Sequence, residues 1–250
     1  MGKFIIMNLL CKFIMINWFV FVRPGDLSGM TFSILALERK SGAIGCAAAT
    51  GNLAVGAWVL RAAARAGAVA TQGMSASPLW GDEALMRLSA GQRATAVVDQ
   101  VTDADLGRNQ RQLAVLDATG KAAVWTGASN VDEKGSRVGE GYVIAGNWLA
   151  NTEVLPAIDE VFRRGLSEEA DFGQRLLDAL EAGRDAGSDA RGTFSAAIRI
   201  VRADRPPLDL RVDYDDDPLG RLRRLYDLAT TPPYSDWARQ VPTLDDPFRC

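Results

Sequence analysis

One threonine in this sequence could act as a nucleophile that supplies its own base. Thr31 follows Met30 and opens a largely apolar stretch, TFSILALERKSGAIGCAAAT, over residues 31–50. If the residues before Thr31 are removed, a hydroxyl and a free α-amine share one residue, and the amine can deprotonate the hydroxyl. The chemistry that this arrangement predicts is cleavage of an amide or peptide bond.

The sequence contains no histidine among its 250 residues. A Ser-His-Asp triad, a Cys-His pair and a His-ligated zinc site are therefore excluded. Its cysteines, Cys11, Cys46 and Cys250, are too scattered for a zinc cluster or a disulfide framework, and Cys46 is expected to be a small core residue. We expect no metal and no cofactor. The groups that remain available to catalyse hydrolysis are carboxylates, lysine, a carboxylate-bound metal or an N-terminal amine.

The composition is typical of a globular protein with one sizeable domain, since 48% of residues are hydrophobic and 24% are charged. The net charge of −3 and the lack of a basic stretch with interleaved aromatics make nucleic acid the least supported partner. An acidic run at 213–217 lacks the spacing and glycine of an EF-hand. It is explained by negative charge at the start of a helix.

Residues 1–29 differ in composition from the rest, because they are rich in Phe, Ile and Asn where the later chain is rich in Ala, Gly and Arg. Three explanations are open: a start codon placed too far upstream, a signal anchor over Phe4 to Val22, or a signal peptide cleaved near Leu27 to Gly29. Lys12 opposes membrane insertion of the anchor. We expect a cytoplasmic protein, with membrane anchoring or export through residues 4–22 as the alternative.

After residue 30, strand and helix signals come in groups. Strands are predicted at 31–37, 43–50, 67–73, 112–117, 121–126, 142–145, 193–201 and 208–212. Helices are predicted at 78–88, 95–101, 152–165, 167–183 and 218–228, and residues 57–66 suit a short helix or an extended segment. Residues 130–141 are predicted to form a loop, and 231–250 a proline-rich tail without a helix. Paired helices after hairpins favour an α+β sandwich of antiparallel sheets over residues 30–230.

Several blocks of the sequence, in the right order, resemble the bacterial family called domain of unknown function 1028. They include MTFSILALE, GAVATQ, QLAVLDATGKAAVWTG, VGEGYVIAGNWL and LDLRVDYDDDPLGRLRRLYDL. The resemblance covers Met30 to about Leu228. The family is similar in fold to the N-terminal-nucleophile hydrolases, which implies a four-layer αββα sandwich with two stacked antiparallel sheets. It also implies that the family begins at Met30, so that residues 1–29 are foreign to it.

The resemblance places Thr31 where those hydrolases keep their nucleophile. It implies that the Thr31 hydroxyl attacks an amide carbonyl, that its amine takes and returns the proton, and that backbone N–H groups stabilise the oxyanion. The segments near Gly73 and at Gly146-Asn147 are the candidate donors. Asp189 and Ser195 correspond more loosely to an aspartate and a serine that orient the amine in proteasome-like members.

Each candidate also has a purely structural explanation. Thr31 suits the first position of a strand, Asn147 suits a turn, Asp189 suits a helix-to-strand turn, and Ser195 can bond to the backbone. Residues 45–55 hold neither the carboxylate nor the lysine that proteasome-like threonine enzymes carry there. Two hypotheses therefore stand: a self-activating amidohydrolase for a small amide or peptide, and a noncatalytic binding or assembly protein on the same scaffold. A homo-oligomer is compatible with both.

Overall fold

The computed structural model describes residues 31–188 and 192–249, which contain ten strands and seven helices. The strands are β1 (Thr31–Glu38), β2 (Ala43–Thr50), β3 (Leu60–Ala63), β4 (Gly67–Gln72), β5 (Gln112–Asp117), β6 (Ala122–Thr126), β7 (Gly135–Gly139), β8 (Tyr142–Asn147), β9 (Ser195–Val201) and β10 (Leu208–Val212). The helices are α1 (Val55–Trp58), α2 (Pro78–Ser89), α3 (Ala94–Asp103), α4 (Val154–Ser167), α5 (Phe172–Asp185), α6 (Pro218–Thr230) and α7 (Tyr234–Ala238).

The strands form two antiparallel sheets. The first has six strands in the order β10-β9-β2-β1-β8-β7, and the second has four in the order β3-β4-β5-β6. In the first sheet β1 lies between β2 and β8, and the register pairs Thr31 with Thr50 on one side and with Asn147 on the other. The first predicted hairpin is therefore central to the molecule.

Small side chains fill the space between the sheets. The strand β2 is buried along its whole length, and Cys46 and Ala48 pack with Ala70 of β4 and Ala114 of β5. Alanine and cysteine let the two sheets approach closely. Burial raises the pKa of the Cys46 thiol to about 12, so this side chain stays protonated. Cys46 is thus a core residue, as predicted.

Helices cover the outer faces of both sheets. On the first sheet, Phe32 and Ile34 share a core with Ile158 of α4 and Leu176 of α5. On the second sheet, the core contains Trp80 and Ala84 of α2, Val97 and Val101 of α3, and Val69, Leu113 and Val115 of the strands. The prediction of an α+β protein with two stacked antiparallel sheets is confirmed.

Two stretches differ from the sequence predictions. The predicted loop over 130–141 contains β7, an edge strand of sequence GSRVG that pairs with β8. An edge strand with exposed charged and small residues lacks the apolar alternation that identifies a strand. The tail predicted to have no helix contains α7, which has only five residues.

Two helix starts were also misplaced, by two and by five residues. The helix predicted from Thr152 begins at Val154, where the Asn151 side chain accepts a hydrogen bond from the Glu153 N–H. The helix predicted from Ser167 begins at Phe172, because Asp171 caps it by accepting from two N–H groups of its first turn. The acidic run behaves as predicted, since Asp217 caps α6.

Predictions for residues 1–29 lie outside the described residues. Within residues 31–188 and 192–249, no helix has the length and apolar character that crossing a membrane requires.

Candidate functional site

Polar side chains collect at one end of the space between the two sheets. Strand side chains alternate between faces, and in β1 Leu35 belongs to the core between the sheets, so Thr31 and Ser33 share its inner face. The same alternation, continued to the end of each strand, gives a polar inner-face residue on six other strands. We call this set the polar end: Thr31, Ser33, Thr50, Gln72, Gln112, Thr126, Asn147 and Ser195.

Thr31 is buried and hydrogen-bonded at this end. Its side chain donates to the Thr50 hydroxyl at 3.2 Å, and the residue is 5% exposed. Its backbone carbonyl accepts from the Gln72 side-chain amide at 3.3 Å. Contacts from a neighbouring strand and from the opposite sheet thus fix the position of Thr31. In the full sequence the Thr31 nitrogen is part of a peptide bond to Met30.

Two glutamines join the sheets through the polar end. Gln72 accepts from the Ser33 hydroxyl at 2.8 Å and donates to the Gln112 side-chain oxygen at 2.7 Å. Gln112 in turn donates to the Thr126 hydroxyl at 2.9 Å and to the Gly146 carbonyl at 3.0 Å. Buried amides need such partners, since a buried polar group without a partner is costly. The network ties β1 and β8 of one sheet to β4, β5 and β6 of the other.

The polar end is uncharged. All eight of its side chains are hydroxyls or carboxamides, so none is a general base at neutral pH. Among the described residues, no group of histidine, cysteine or carboxylate side chains could hold a metal ion. The titratable group that could act here is an α-amine on Thr31, once the peptide bond before it is cut.

The structure brings some predicted site residues together. Asn147 pairs with Thr31 across the β1–β8 ladder, and its side chain donates to the Gln112 oxygen at 3.3 Å. Ser195 pairs with Thr50, two strands away from Thr31. Its hydroxyl donates to the Asn52 carbonyl at 2.8 Å and accepts from the Val55 N–H at 3.1 Å, so it holds the turn after β2. Asp189 lies outside the described residues.

The segment near Gly73, a predicted source of oxyanion donors, is largely occupied. Gly73 has a φ of +123°, a conformation that suits glycine. The next N–H, of Met74, donates to the Asn130 side chain at 3.0 Å, and that of Ser75 donates to the Gln110 carbonyl at 3.1 Å. Both N–H groups therefore already have an acceptor and are not available to stabilise an oxyanion at the polar end.

Two non-glycine residues next to the polar end have left-handed backbone. Trp148 directly follows Asn147 and has a φ of 56°, and Ala54 lies just past β2 with a φ of 54°. Such conformations cost free energy for residues with a Cβ and are concentrated at functional sites.

Two cavities lie at the opposite end of the sandwich. One, of about 710 Å³, is lined by Glu38 and Ala43 at the β1–β2 turn, and another, of about 460 Å³, by Leu37 and Gly42. Thr31 lines neither of them. A substrate for Thr31 would have to reach it by another route.

Sequence reasoning missed Thr50, Gln72 and Gln112. The signal was present in the strands GAVATQ and QLAVLD, where a glutamine stands on the inner-facing side of an otherwise apolar alternation. Continuing the two-residue period to the terminal position of each strand, which is the last residue for Gln72 and the first for Gln112, identifies these residues. Their convergence could not be read from one strand at a time.

Comparison with known proteins identifies relatives of this chain. The model of the "Family of unknown function (DUF1028)" matches residues 31–222. The crystal structure of protein SPO2555 from Silicibacter pomeroyi, described with the same family, is 47% identical, with a TM-score of 0.83, over 88% of this chain and 98% of that one. No curated protein matches the sequence. The chain therefore belongs to the DUF1028 family of unknown function.

Proposed function

We propose that this protein is an amide hydrolase of the N-terminal-nucleophile type, with Thr31 as its nucleophile and the freed Thr31 amine as its base. The observation that carries the proposal is the position of the Thr31 hydroxyl, 3.2 Å from Thr50 in a buried, uncharged polar end. The family match beginning at residue 31 supports it. Helices outside two stacked sheets also suit the four-layer αββα sandwich of those hydrolases.

Burial favours the amine as a base. An ammonium group loses hydration when it is buried, and none of the eight described side chains of the polar end is a carboxylate that would stabilise it, so burial favours the neutral form of a free Thr31 amine. The neutral amine then takes the proton of the Thr31 hydroxyl. The sequence has no lysine between residues 45 and 55 to disfavour the ammonium form, so the proposal relies on burial for this effect.

The reaction proceeds in two stages. The Thr31 oxygen adds to the amide carbonyl carbon, its proton passes to the amine and then to the departing nitrogen, and the C–N bond breaks to leave an ester on Thr31. Water, deprotonated by the same amine, then hydrolyses the ester and restores the hydroxyl. Donors near Asn147 would stabilise the oxyanion of each stage. The substrate is a small amide or peptide.

The other polar residues hold the nucleophile in place. The hydrogen bond from the Gln72 side-chain amide to the Thr31 carbonyl fixes the backbone of the reacting residue. The hydrogen bond to Thr50 orients the Thr31 hydroxyl. A nucleophile held in one geometry reacts faster than a mobile one. Asp189 and Ser195 remain proposed as groups that orient the amine.

The second candidate is a noncatalytic binding or assembly protein on the same scaffold. It is favoured by the burial of Thr31 and by the placement of the two cavities at the far end of β1. In this alternative the polar end serves only to join the sheets.

The test begins with the mass of the natively produced protein, which is expected to start at Thr31. That protein is assayed against a panel of acyl and aminoacyl arylamides, together with Thr31→Ala, Thr31→Ser and the exposed control Thr95→Ala. We expect turnover to vanish in Thr31→Ala, to survive in part in Thr31→Ser and to be unchanged in Thr95→Ala. A chain that retains residues 1–30 and binds but never cleaves would favour the second candidate.

A further inference from the structure

The cavity of about 710 Å³ at the far end of β1 has the size of a small-molecule site. Thr31 and Glu38 are the ends of an eight-residue strand, so the cavity lies about 23 Å from Thr31 at about 3.3 Å per residue. Ten of its 25 lining residues follow Leu222, where the family match ends. The cavity thus lies between the family core and the C-terminal segment that contains α7.

The guanidinium groups on the cavity wall have N–H donors that form no hydrogen bond to any described residue. Each has five N–H donors. Arg202 uses two of its nitrogens on Asp204, Arg249 uses two and Arg239 uses one. In the described part of the chain, Arg205 forms no hydrogen bond or ion pair and is exposed.

The carboxylates on the same wall are already engaged. Asp204 is held by Arg202 through two bonds of 2.8 and 2.7 Å, and Asp171 accepts from the first turn of α5 and from the Tyr226 hydroxyl. The remaining two are paired with arginines: Asp209 with Arg199, and Glu38 with Arg175. Of the charged side chains on this wall, Arg205 is the one that has no hydrogen bond or ion pair among the described residues, so the unpaired charge is cationic and favours an anion.

The wall also carries an exposed aromatic pair. Tyr234 and Trp237 have ring centroids 5.3 Å apart and are 54% and 56% exposed. Both line the cavity, together with the apolar side chains of Pro206, Pro207 and Leu208. Exposed aromatic surface beside a concave apolar wall suits a flat apolar group.

We propose that this cavity binds a small organic anion with a flat apolar body, such as an aromatic carboxylate. The body packs against Trp237 and Tyr234, and the carboxylate takes hydrogen bonds from Arg205 and from the unused N–H groups of Arg202. The site is separate from the polar end and stands whether or not Thr31 is a nucleophile.

The test uses calorimetric titration of the full chain with 1-naphthoate and with its uncharged analogue 1-naphthalenemethanol. Naphthoate is expected to bind at least about tenfold more tightly than the alcohol. Arg205→Gln, an exposed change that leaves the fold intact, should weaken naphthoate about tenfold and leave the alcohol unaffected. Trp237→Ala should weaken both ligands. Arg93→Gln, an exposed arginine before α3, is the matched control and should weaken neither.

Four results would overturn the proposal. If naphthoate does not bind at millimolar concentration, the cavity does not bind aromatic carboxylates. If naphthoate and the alcohol bind equally tightly, the carboxylate is not recognised. If Arg205→Gln and the unaltered chain bind naphthoate equally tightly, the Arg205 guanidinium does not bind the carboxylate. A dimer in sedimentation that Trp237→Ala converts to a monomer would make this face a contact between copies of the chain.

Discussion

Gln112 has the most connected side chain of the polar end. Its oxygen accepts from Gln72 and Asn147, and its nitrogen donates to Thr126 and to backbone carbonyls on the opposite sheet. A fully buried amide whose oxygen and nitrogen both form hydrogen bonds fixes the relative position of the elements that supply its partners. The residue that stabilises the candidate site is therefore different from the residue proposed to react.

Replacing Gln112 by leucine should lower the free energy of unfolding by about 2–4 kcal/mol, because it removes the acceptor of the buried Asn147 amide and one of the two acceptors of the buried Gln72 amide. Urea unfolding of the full chain measures this. Gln240→Leu, at an exposed position, should change stability by less than about 0.5 kcal/mol. Equal losses in the two variants would show that the network contributes nothing of its own.

The pH dependence of catalysis should report the Thr31 amine. The neutral amine is the base, so kcat/KM should rise with pH as this amine loses its proton. Thr31→Ser keeps the amine and should keep the profile. A flat profile from pH 5 to 9 in the active protein would argue for another base.

At the scale of elements, Asp117 joins α3 to the second sheet. Helix α3 has no side-chain cap of its own, and the Asp117 carboxylate accepts from the Ala94 N–H at its start. Burial, the largest influence, would raise the pKa of Asp117, but hydrogen bonds from the Thr119 hydroxyl and from the N–H groups of Ala94, Lys121 and Thr119 outweigh it. The pKa of this carboxyl therefore lies below its ordinary value.

Asp117→Asn should destabilise the protein by about 1–2 kcal/mol at pH 7, since the ionised form accepts these bonds more strongly. A lowered folded-state pKa gives stability that is full above the unfolded-state value of about 3.9 and is lost as the pH falls through the folded-state value. The difference from the unaltered chain should therefore shrink in urea titrations below about pH 4. Asp99→Asn, exposed on α3, should show no such difference at either pH.

The packing of α5 on β2 depends on Gly45. A Cβ at this position would lie 2.6 Å from the Leu176 side chain and 2.8 Å from the Phe172 ring. Gly45→Ala should therefore cost about 1–3 kcal/mol through overpacking. In β7, a Cβ at Gly135 would meet Leu155 at an ordinary 3.7 Å, so Gly135→Ala should cost less. Thermal unfolding of both variants gives the comparison, and a larger loss for Gly135→Ala would contradict this packing.

Elements with strong local signals were predictable from the sequence, and those that depend on their partners were not. The strand prediction for 208–212 matches β10, and the hairpin at 31–50 lies where β1 and β2 form. Strand β7 was missed because its pairing with β8, and not its own composition, makes it a strand. Gln72 and Gln112 are 40 residues apart, and only the pairing of β4 with β5 and the stacking of the sheets bring them to Thr31.

At the scale of the whole molecule, the two ends of the sandwich have different chemistry. The polar end is uncharged and contains Thr31, whereas the far end carries arginines, carboxylates and the C-terminal segment. That segment contacts both sheets, because Asp245 pairs with Arg65 after β3 and its N–H donates to the Ala203 carbonyl after β9. The proposed catalytic site and the proposed anion site therefore occupy opposite ends, and a change at one end should leave the other intact.

Covalent labelling with a β-lactone, which acylates a nucleophilic hydroxyl, tests the central claim most directly. The natively produced protein is labelled, digested and mapped by mass spectrometry, alongside a sample with residues 1–30 still attached. We predict one acyl group on the Thr31 oxygen when Thr31 is the first residue, and none when the peptide bond to Met30 is intact. An unlabelled Thr31 with a free amine, or equal labelling of both samples, would contradict the account.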